Sequence, residues 1–150
     1  MDPLEERRLL YTSNDLAARI EIERYDSLES IRRTRGLQRI AIHIRGKNIL
    51  DIGCGIGYDT RAFGLQGYSV VGVDPSKRVL QYAKDFDPHT HYVNAWSTNL
   101  PFRGPFDGVL LHSVLHMMPP DHATRTIHEI SRVIKPNGIC SIRLEHDTTD

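Results

Sequence analysis

A glycine-rich turn at residues 53–57 (GCGIG) constrains the fold of this chain more than any other feature. The apolar run before it, residues 47–51 (KNILD), predicts a short strand, and residues 61–65 predict a helix. Glycines between a strand and a helix let the backbone turn sharply and let a ligand approach it closely. The turn therefore predicts an α/β fold with a ligand bound at this point.

Strand and helix patterns alternate along the rest of the chain. Further strands are predicted at residues 68–74, 89–94, 105–112 and 139–144, with helices at 75–84 and 119–134 and a turn at 136–138. This alternation predicts a Rossmann-like, doubly wound and mostly parallel sheet of about five strands. Ligands of such sheets bind at the carboxyl ends of the strands.

The first 45 residues have a different pattern, with apolar residues recurring at helical spacing. We expect residues 1–45 to form a helical extension that acts as a lid over the site. Residues 46–150 are expected to form the ligand-binding domain.

The spacing of the glycines argues against a dinucleotide ligand. The G-x-G-x-x-G fingerprint needs a third glycine at a position that is Tyr58 or Thr60 here, which disfavours a nicotinamide-dependent dehydrogenase. Asp74 ends the second predicted strand, about 20 residues after the turn, where an acid accepts hydrogen bonds from ribose hydroxyls. The ligand is therefore expected to be a nucleoside without a pyrophosphate, and Asp51 suits a positive group on it.

Four segments, in order, resemble motifs of the class I S-adenosylmethionine (SAM)-dependent methyltransferases. NILDIGCGIGYDT resembles their first motif and VVGVDPS the second, while LPFRGPFDGVLLHSVLHMM and EISRVIKPNG resemble the segments around the fourth strand and before the fifth. The resemblance covers residues 46–145 and is nearest to the small-molecule, ubiquinone-biosynthesis-like type. It implies SAM as cofactor, S-adenosylhomocysteine as product and methyl transfer as the activity.

The resemblance also implies roles for individual residues. Asp51 would orient the methionine amine, Asp74 would bind the ribose hydroxyls, and the glycines would lie against the cofactor. Where the family often has an acid near the adenine, this chain has Trp96. That side chain either stacks on the adenine or packs in the core, and Asn94 is the alternative polar contact. The predicted cofactor-binding set is Asp51, Gly53, Cys54, Gly55, Gly57, Asp74, Pro75, Ser76, Asn94, Ala95, Trp96 and His112.

Two histidines lie at the end of the fourth predicted strand and just after it, in the segment HSVLHMM. The resemblance places this strand end beside the transferred methyl group, and a histidine can remove a proton near neutral pH. We therefore predict His112, and after it His116, as catalytic base, with packing in the pocket as the alternative. Their spacing also suits a metal, but no further ligand pattern joins them, so no metal site is expected.

The acceptor is expected to be a small molecule rather than nucleic acid. Formal net charge is zero, aromatic residues make up 7% of the chain, and the fourth strand lacks the Asp/Asn-Pro-Pro-aromatic motif found in DNA amino-methyltransferases. No apolar run approaches the roughly 20 residues of a membrane span. Two cysteines form no disulfide framework, which favours a cytoplasmic location.

The chain ends soon after the fifth predicted strand, so the antiparallel hairpin that follows it in the family is expected to be missing. Uncovered strand edges pair readily, which predicts a homodimer or a partner chain at this edge. The alternatives are that a C-terminal part has been removed or that this is a minimal form. The hairpin normally shapes the acceptor pocket. The alternative function is therefore a SAM-binding non-transferase: a partner subunit, an inactive regulator or a repurposed, cyclase-like fold.

Overall fold

A parallel sheet forms the centre of the part of the chain that this computed structural model describes, residues 28–144. Its five strands lie in the order β3-β2-β1-β4-β5, and every neighbouring pair is parallel. The strands are β1 (Asn48–Ile52), β2 (Ser69–Asp74), β3 (His91–Asn94), β4 (Phe106–His112) and β5 (Ile134–Arg143). The predicted Rossmann-like α/β fold is confirmed.

Helices cover both faces of this sheet. They are α1 (Leu28–Ala41), α2 (Tyr58–Leu65), α3 (Lys77–Phe86) and α4 (Pro120–Val133), with a 3₁₀ turn at Leu115–Met117. Right-handed crossovers from β1 to β2 and from β2 to β3 run in one direction, so α2 and α3 lie on the same face. The connection from β4 to β5 runs in the other direction, so α4 lies on the opposite face.

Adjacent residues of β1 and β4 supply the two cores, because side chains alternate between the faces of a strand. On the face covered by α1 and α2, the buried cluster is Leu37, Ile44, Ile49, Phe63, Val70 and Leu110. On the face covered by α4, it is Leu50, Ile52, Val73, Leu100, Phe106, Val109, Leu111, Ile130 and Val133. We call these the α2 face and the α4 face.

Three details differ from the expected boundaries or lie beyond what the structure describes. Helix α2 begins at Tyr58, directly after the last glycine, rather than at Arg61. The expected turn at residues 136–138 is an irregularity inside β5, where the pairing with β4 shifts register and Asn137 has a φ of 65°. Of the predicted N-terminal extension, residues 1–27 lie outside the described residues, and Leu37 belongs to the core.

A charged clamp joins α4 to the loop between β3 and β4. The Arg132 guanidinium donates to the carbonyl oxygens of Leu100 and Phe102 at 2.9 and 2.6 Å. Glu129 accepts from the Leu100 N–H at 2.7 Å and pairs with Arg132 at 2.7 Å. The two helix residues therefore hold the loop by its backbone, which links the EISRV and LPF motifs physically.

An ion pair at the start of β4 should make stability depend on pH. Asp107 accepts from Lys135 Nζ at 2.7 Å and from the Asn48 N–H at 2.9 Å, and these bonds hold the pKa of its carboxyl below the ordinary value. A lowered carboxyl pKa stabilises the fold above the unfolded-state pKa of about 3.9, and this stabilisation is lost as pH falls through the folded pKa.

Lys135→Met should therefore lower the free energy of unfolding at pH 7 by about 1 kcal/mol, since the lysine is partly exposed. The difference in the free energy of unfolding between this variant and the wild type should shrink as the pH falls and Asp107 becomes protonated. Urea unfolding at several pH values measures it, with Lys84→Met on the exposed side of α3 as the control. A difference that does not change with pH would contradict this assignment.

No helix among residues 28–144 is long and apolar enough to cross a membrane.

Candidate functional site

The glycine turn is fastened to the end of β2 by backbone hydrogen bonds. The N–H groups of Gly53 and Cys54 both donate to the carbonyl oxygen of Val73, at 2.8 and 3.0 Å. The Gly55 N–H donates to Asp74 Oδ2 at 3.0 Å, and the Ser76 N–H donates to Asp74 Oδ1 at 2.9 Å. The turn and the acid that the sequence predicted separately therefore form one site.

The Asp74 carboxylate is held ready to accept further hydrogen bonds. A carboxylate has about four lone-pair sites, and the two backbone donors occupy one on each oxygen. Burial raises the pKa of this carboxyl, and the N–H bonds from Ser76 and Gly55 oppose the rise. A buried acid whose ionisation costs stability is typical of a functional site.

Two other predicted residues support this arrangement. Ser76 caps α3, its hydroxyl accepting from the Val79 N–H at 3.3 Å, and Asn94 Nδ2 donates to the Asp74 carbonyl oxygen at 3.0 Å. The Asn94 amide therefore ties the end of β3 to the end of β2. This bond leaves its side-chain oxygen as the group that could meet a ligand.

A shallow cleft opens beside the turn, on the α4 face at the carboxyl ends of the strands. Its free volume is about 50 Å³, below the roughly 300–1,000 Å³ of a preformed ligand pocket. The structure brings four predicted residues together in its wall, Gly53, Pro75, Ala95 and Trp96. Residues that sequence reasoning did not assign complete the lining: Ile52, Val73, Ser97, Thr98, Val114, Met118 and His122.

Val114 accounts for part of the small volume, because it lies directly over the glycine turn. Gly53 has a φ of +69°, and a Cβ built there would come within 2.3 Å of Val114 Cγ2. Both the positive φ and the close contact with Val114 therefore require glycine at this position. Val114 belongs to the loop after β4, so a ligand that lies against Gly53 has to displace this loop.

Cys54 and Gly57 line the α3 side of the turn. Cys54 packs against the cluster formed by Leu80, Ala83 and Tyr92, and the Tyr92 hydroxyl fills the space above Gly57. Burial, together with the carboxylates of Asp51 and Asp74, raises the pKa of the Cys54 thiol well above its ordinary value. Cys54 is therefore a packing residue of the turn and a poor nucleophile.

Asp51 lies below the turn on the α2 face and is only 2% exposed. Its Oδ2 accepts from the Thr60 hydroxyl at 2.7 Å, which joins the end of β1 to the first turn of α2. The predicted contact of Asp51 with an amine stays a prediction, and in this structure the acid organises the start of α2.

His112 is buried at the end of β4, and both of its ring nitrogens have partners. Nδ1 lies 2.8 Å from Asp59 Oδ2, and Nε2 lies 2.8 Å from the Ser141 hydroxyl oxygen. The sequence offered weak signals for these partners, an acid in the first turn of α2 and a polar residue within the apolar run of β5. His116, on the 3₁₀ turn, is exposed.

Between residues 28 and 144, no group of three or more His, Cys, Asp or Glu side chains is placed to hold a metal ion.

Comparison with known proteins identifies relatives of the chain. Residues 50–142 match the family model described as methyltransferase domain. An uncharacterized methyltransferase of Synechocystis sp. is 37% identical over 107 residues, which cover 71% of this chain and 50% of that protein. A ubiquinone biosynthesis O-methyltransferase of Dechloromonas aromatica is 30% identical over 106 residues, covering 65% and 44%. The chain thus spans about half the length of these relatives.

Solved structures share the fold. Magnesium protoporphyrin IX methyltransferase from Synechocystis PCC 6803, solved with bound SAM, superposes with a TM-score of 0.69 over 89% of this chain and 73% of that one. The sequences are 19% identical, so the likeness concerns the fold alone.

Proposed function

Because the chain belongs to the methyltransferase domain family, we propose that it binds SAM and transfers the methyl group to a small-molecule acceptor. The observation that carries the proposal is the junction of the glycine turn with Asp74 beside the cleft. At this junction lie a glycine backbone that a ligand can approach closely, an acid with unused lone pairs and an aromatic side chain in the wall of the cleft. These are the groups that a nucleoside with a positive side chain requires.

The residues present fit such a cofactor. The unused lone pairs of Asp74 would accept from the two ribose hydroxyls, and the partly exposed ring of Trp96 would cover the adenine. The backbone of the turn, with Asp51 beneath it, would hold the methionine end. When bound, SAM supplies an electrophilic methyl group on a sulfonium. The chain contributes chiefly proximity and orientation to such a transfer.

The acceptor is proposed to be a small molecule, since one relative is named for O-methyl transfer in ubiquinone biosynthesis. His116 is the exposed candidate base near the end of β4. His112 could remove a proton only through the Ser141 hydroxyl, because that group covers Nε2. Both histidines stay proposals as catalytic groups.

Among residues 28–144, no strand pairs with the outer edge of β5, which supports the predicted association with a second strand. β5 is the last strand in the sheet order, and Ile142 and Leu144 are 44% and 59% exposed. We propose that a second copy of the chain or a partner chain pairs here, and light scattering of the purified protein distinguishes the two. Cys54 and Cys140 are both free thiols, which is compatible with the proposed cytoplasmic location.

Titration with S-adenosylhomocysteine and SAM tests the proposal directly. Calorimetry should give dissociation constants on the order of micromolar, and NAD, which the glycine spacing disfavours, should not bind. Trp96 is the single tryptophan of the chain and lines the cleft, so its fluorescence should change on binding. Failure of both adenosyl ligands to bind would overturn the proposal.

Binding without methyl transfer to any member of an acceptor panel would instead support the SAM-binding non-transferase. If SAM carries a radiolabelled methyl group, transfer is detected whichever atom of the acceptor receives it.

A further inference from the structure

A buried chain of three hydrogen-bonded side chains lies on the α2 face, apart from the cleft. Asp59 of α2 contacts one ring nitrogen of His112 of β4, and Ser141 of β5 contacts the other, each at 2.8 Å. None of these residues lines the cleft, which opens on the α4 face. The proposed cofactor site therefore leaves this cluster unexplained.

The donors and acceptors of the cluster follow from its chemistry. An ionised carboxylate can only accept, so an ionised Asp59 pairs with a ring that carries its proton on Nδ1. In that tautomer Nε2 is an acceptor, to which the Ser141 hydroxyl can donate. This is the connectivity of a Ser–His–Asp triad, which is recognised by geometry and roles rather than by order in the chain.

The burial of the three groups differs in a way that suits catalysis. Asp59 and His112 are only 5% and 7% exposed, so the hydrogen bond between them is shielded from bulk solvent. Ser141 is partly exposed and lies on β5, the last strand in the sheet order.

A cation completes the cluster. Arg143 lies two residues beyond Ser141 and therefore on the same face of β5. Its guanidinium is 3.9 Å from Asp59 Oδ2, within ion-pair distance, and its Nε is 3.4 Å from the Ser113 hydroxyl. A partly exposed cation at this place can neutralise negative charge that develops on a bound ester.

We propose that Ser141 is an activated nucleophile toward small carboxylic esters, with His112 as its base and Asp59 as the residue that positions the ring. In the first step the Ser141 oxygen bonds to the ester carbonyl carbon and its proton moves to His112 Nε2. The bond to the alcohol oxygen then breaks, and His112 returns the proton to the departing alkoxide. Water then gives a proton to the same nitrogen while its oxygen bonds to the acyl carbon. The bond from that carbon to the Ser141 oxygen breaks, and His112 returns the proton to the serine.

An alkyl fluorophosphonate tests this reactivity without knowledge of the natural ester. Attack by Ser141 forms an oxygen–phosphorus bond and expels fluoride, while the proton moves to His112. Mass spectrometry of the digested full-length chain should locate one phosphonyl group on Ser141. The native protein should be labelled at least about 100-fold faster than the urea-unfolded chain, because only the fold supplies the base.

Variants separate an activated serine from a merely buried network. Ser141→Ala should abolish labelling, while Ser131→Ala, at an exposed serine of α4, should leave it unchanged. Asp59→Asn and His112→Gln should slow labelling at least about 100-fold. Because these two changes fall in the core, their circular dichroism melting curves must first show a cooperative fold, and Ser141→Ala serves as the test if they do not.

Equal labelling of the native and unfolded chains, or no label on Ser141 in the folded protein, would overturn the proposal. The reaction requires neither SAM nor a methyl acceptor. Its outcome is therefore distinguishable from the outcome of the S-adenosylhomocysteine titration.

Discussion

Replacing Asp74 with alanine should weaken the binding of S-adenosylhomocysteine by about 10- to 100-fold. Two ribose hydroxyls lose their acceptor, which corresponds to roughly 1–3 kcal/mol. The substitution also removes the acceptor of the Gly55 and Ser76 N–H groups, so the turn loses one of its hydrogen bonds to β2 and keeps those to the Val73 carbonyl oxygen. Isothermal calorimetry at neutral pH measures the change directly.

Asp85→Ala is the matched control, because it removes the same charge from an exposed position on α3. The affinity of Asp85→Ala for S-adenosylhomocysteine should equal that of the wild type. Asp74→Asn keeps one acceptor oxygen and should fall between wild type and alanine. If Asp74→Ala binds as tightly as the wild type, the ribose is held elsewhere and the assignment of the cleft is wrong.

The affinity should also depend on pH through the same carboxyl. Burial raises the pKa of the Asp74 carboxyl, so the folded chain favours its protonated form. The stability that the protonated carboxyl contributes is lost as pH rises through that pKa. Hydroxyl donors favour the ionised form instead. The affinity of the wild type should therefore rise with pH through the raised pKa and then level off. Asp74→Asn should lack this rise.

Gly104→Ala should destabilise the fold by about 3 kcal/mol, which corresponds to a fall in melting temperature of roughly 6–12 °C. Gly104 has a φ of +74°, which an L-residue adopts at a cost of about 1–2 kcal/mol. A Cβ there would also lie 2.3 Å from the Val133 carbonyl oxygen, and backbone at the end of α4 cannot move aside as a side chain could. Chemical unfolding followed by circular dichroism measures the loss.

Substitutions at two other glycines distinguish the cost of backbone strain at a positive φ from the cost of a steric clash. Gly67 has a φ of +90° but open space around it, so Gly67→Ala should cost the strain alone, about 1–2 kcal/mol. Gly64 lies within α2 with open space, and Gly64→Ala should stabilise the protein by about 0.5–1 kcal/mol. If Gly104→Ala costs no more than Gly67→Ala, the contact with Val133 is not a constraint.

Gly104 also connects the fold to the site. The loop that contains it runs from Trp96 in the cleft to β4, and Arg132 and Glu129 hold its middle by the backbone. The same end of α4 therefore meets the loop through Gly104 and through the clamp. A loosened loop should weaken binding in the cleft as well as stability.

Local sequence patterns predicted most of the fold and four of the eleven residues that line the cleft. Apolar runs bounded by turn residues predict a strand wherever both faces of the sheet are covered. The bounds of four of the five strands were therefore found within about two residues, and β5 is the exception. Its start was hidden because Ile134 pairs with Phe106 ahead of an irregularity that reads locally as a turn. Gly53 and Asp74 were found because each ends a strand, and strand ends meet at one edge.

The tertiary structure alone decided what surrounds those residues. Val114 and His122 enter the cleft from the loop after β4 and from α4, and no local pattern says how far such segments lean over the sheet. His112 lies 53 residues from Asp59 and 29 from Ser141 along the chain. Contacts between distant residues depend on strand order and register, so the sequence determined the sheet and the edge at which we propose that a nucleoside binds. Only folding determined that a buried histidine joins an acid to a serine.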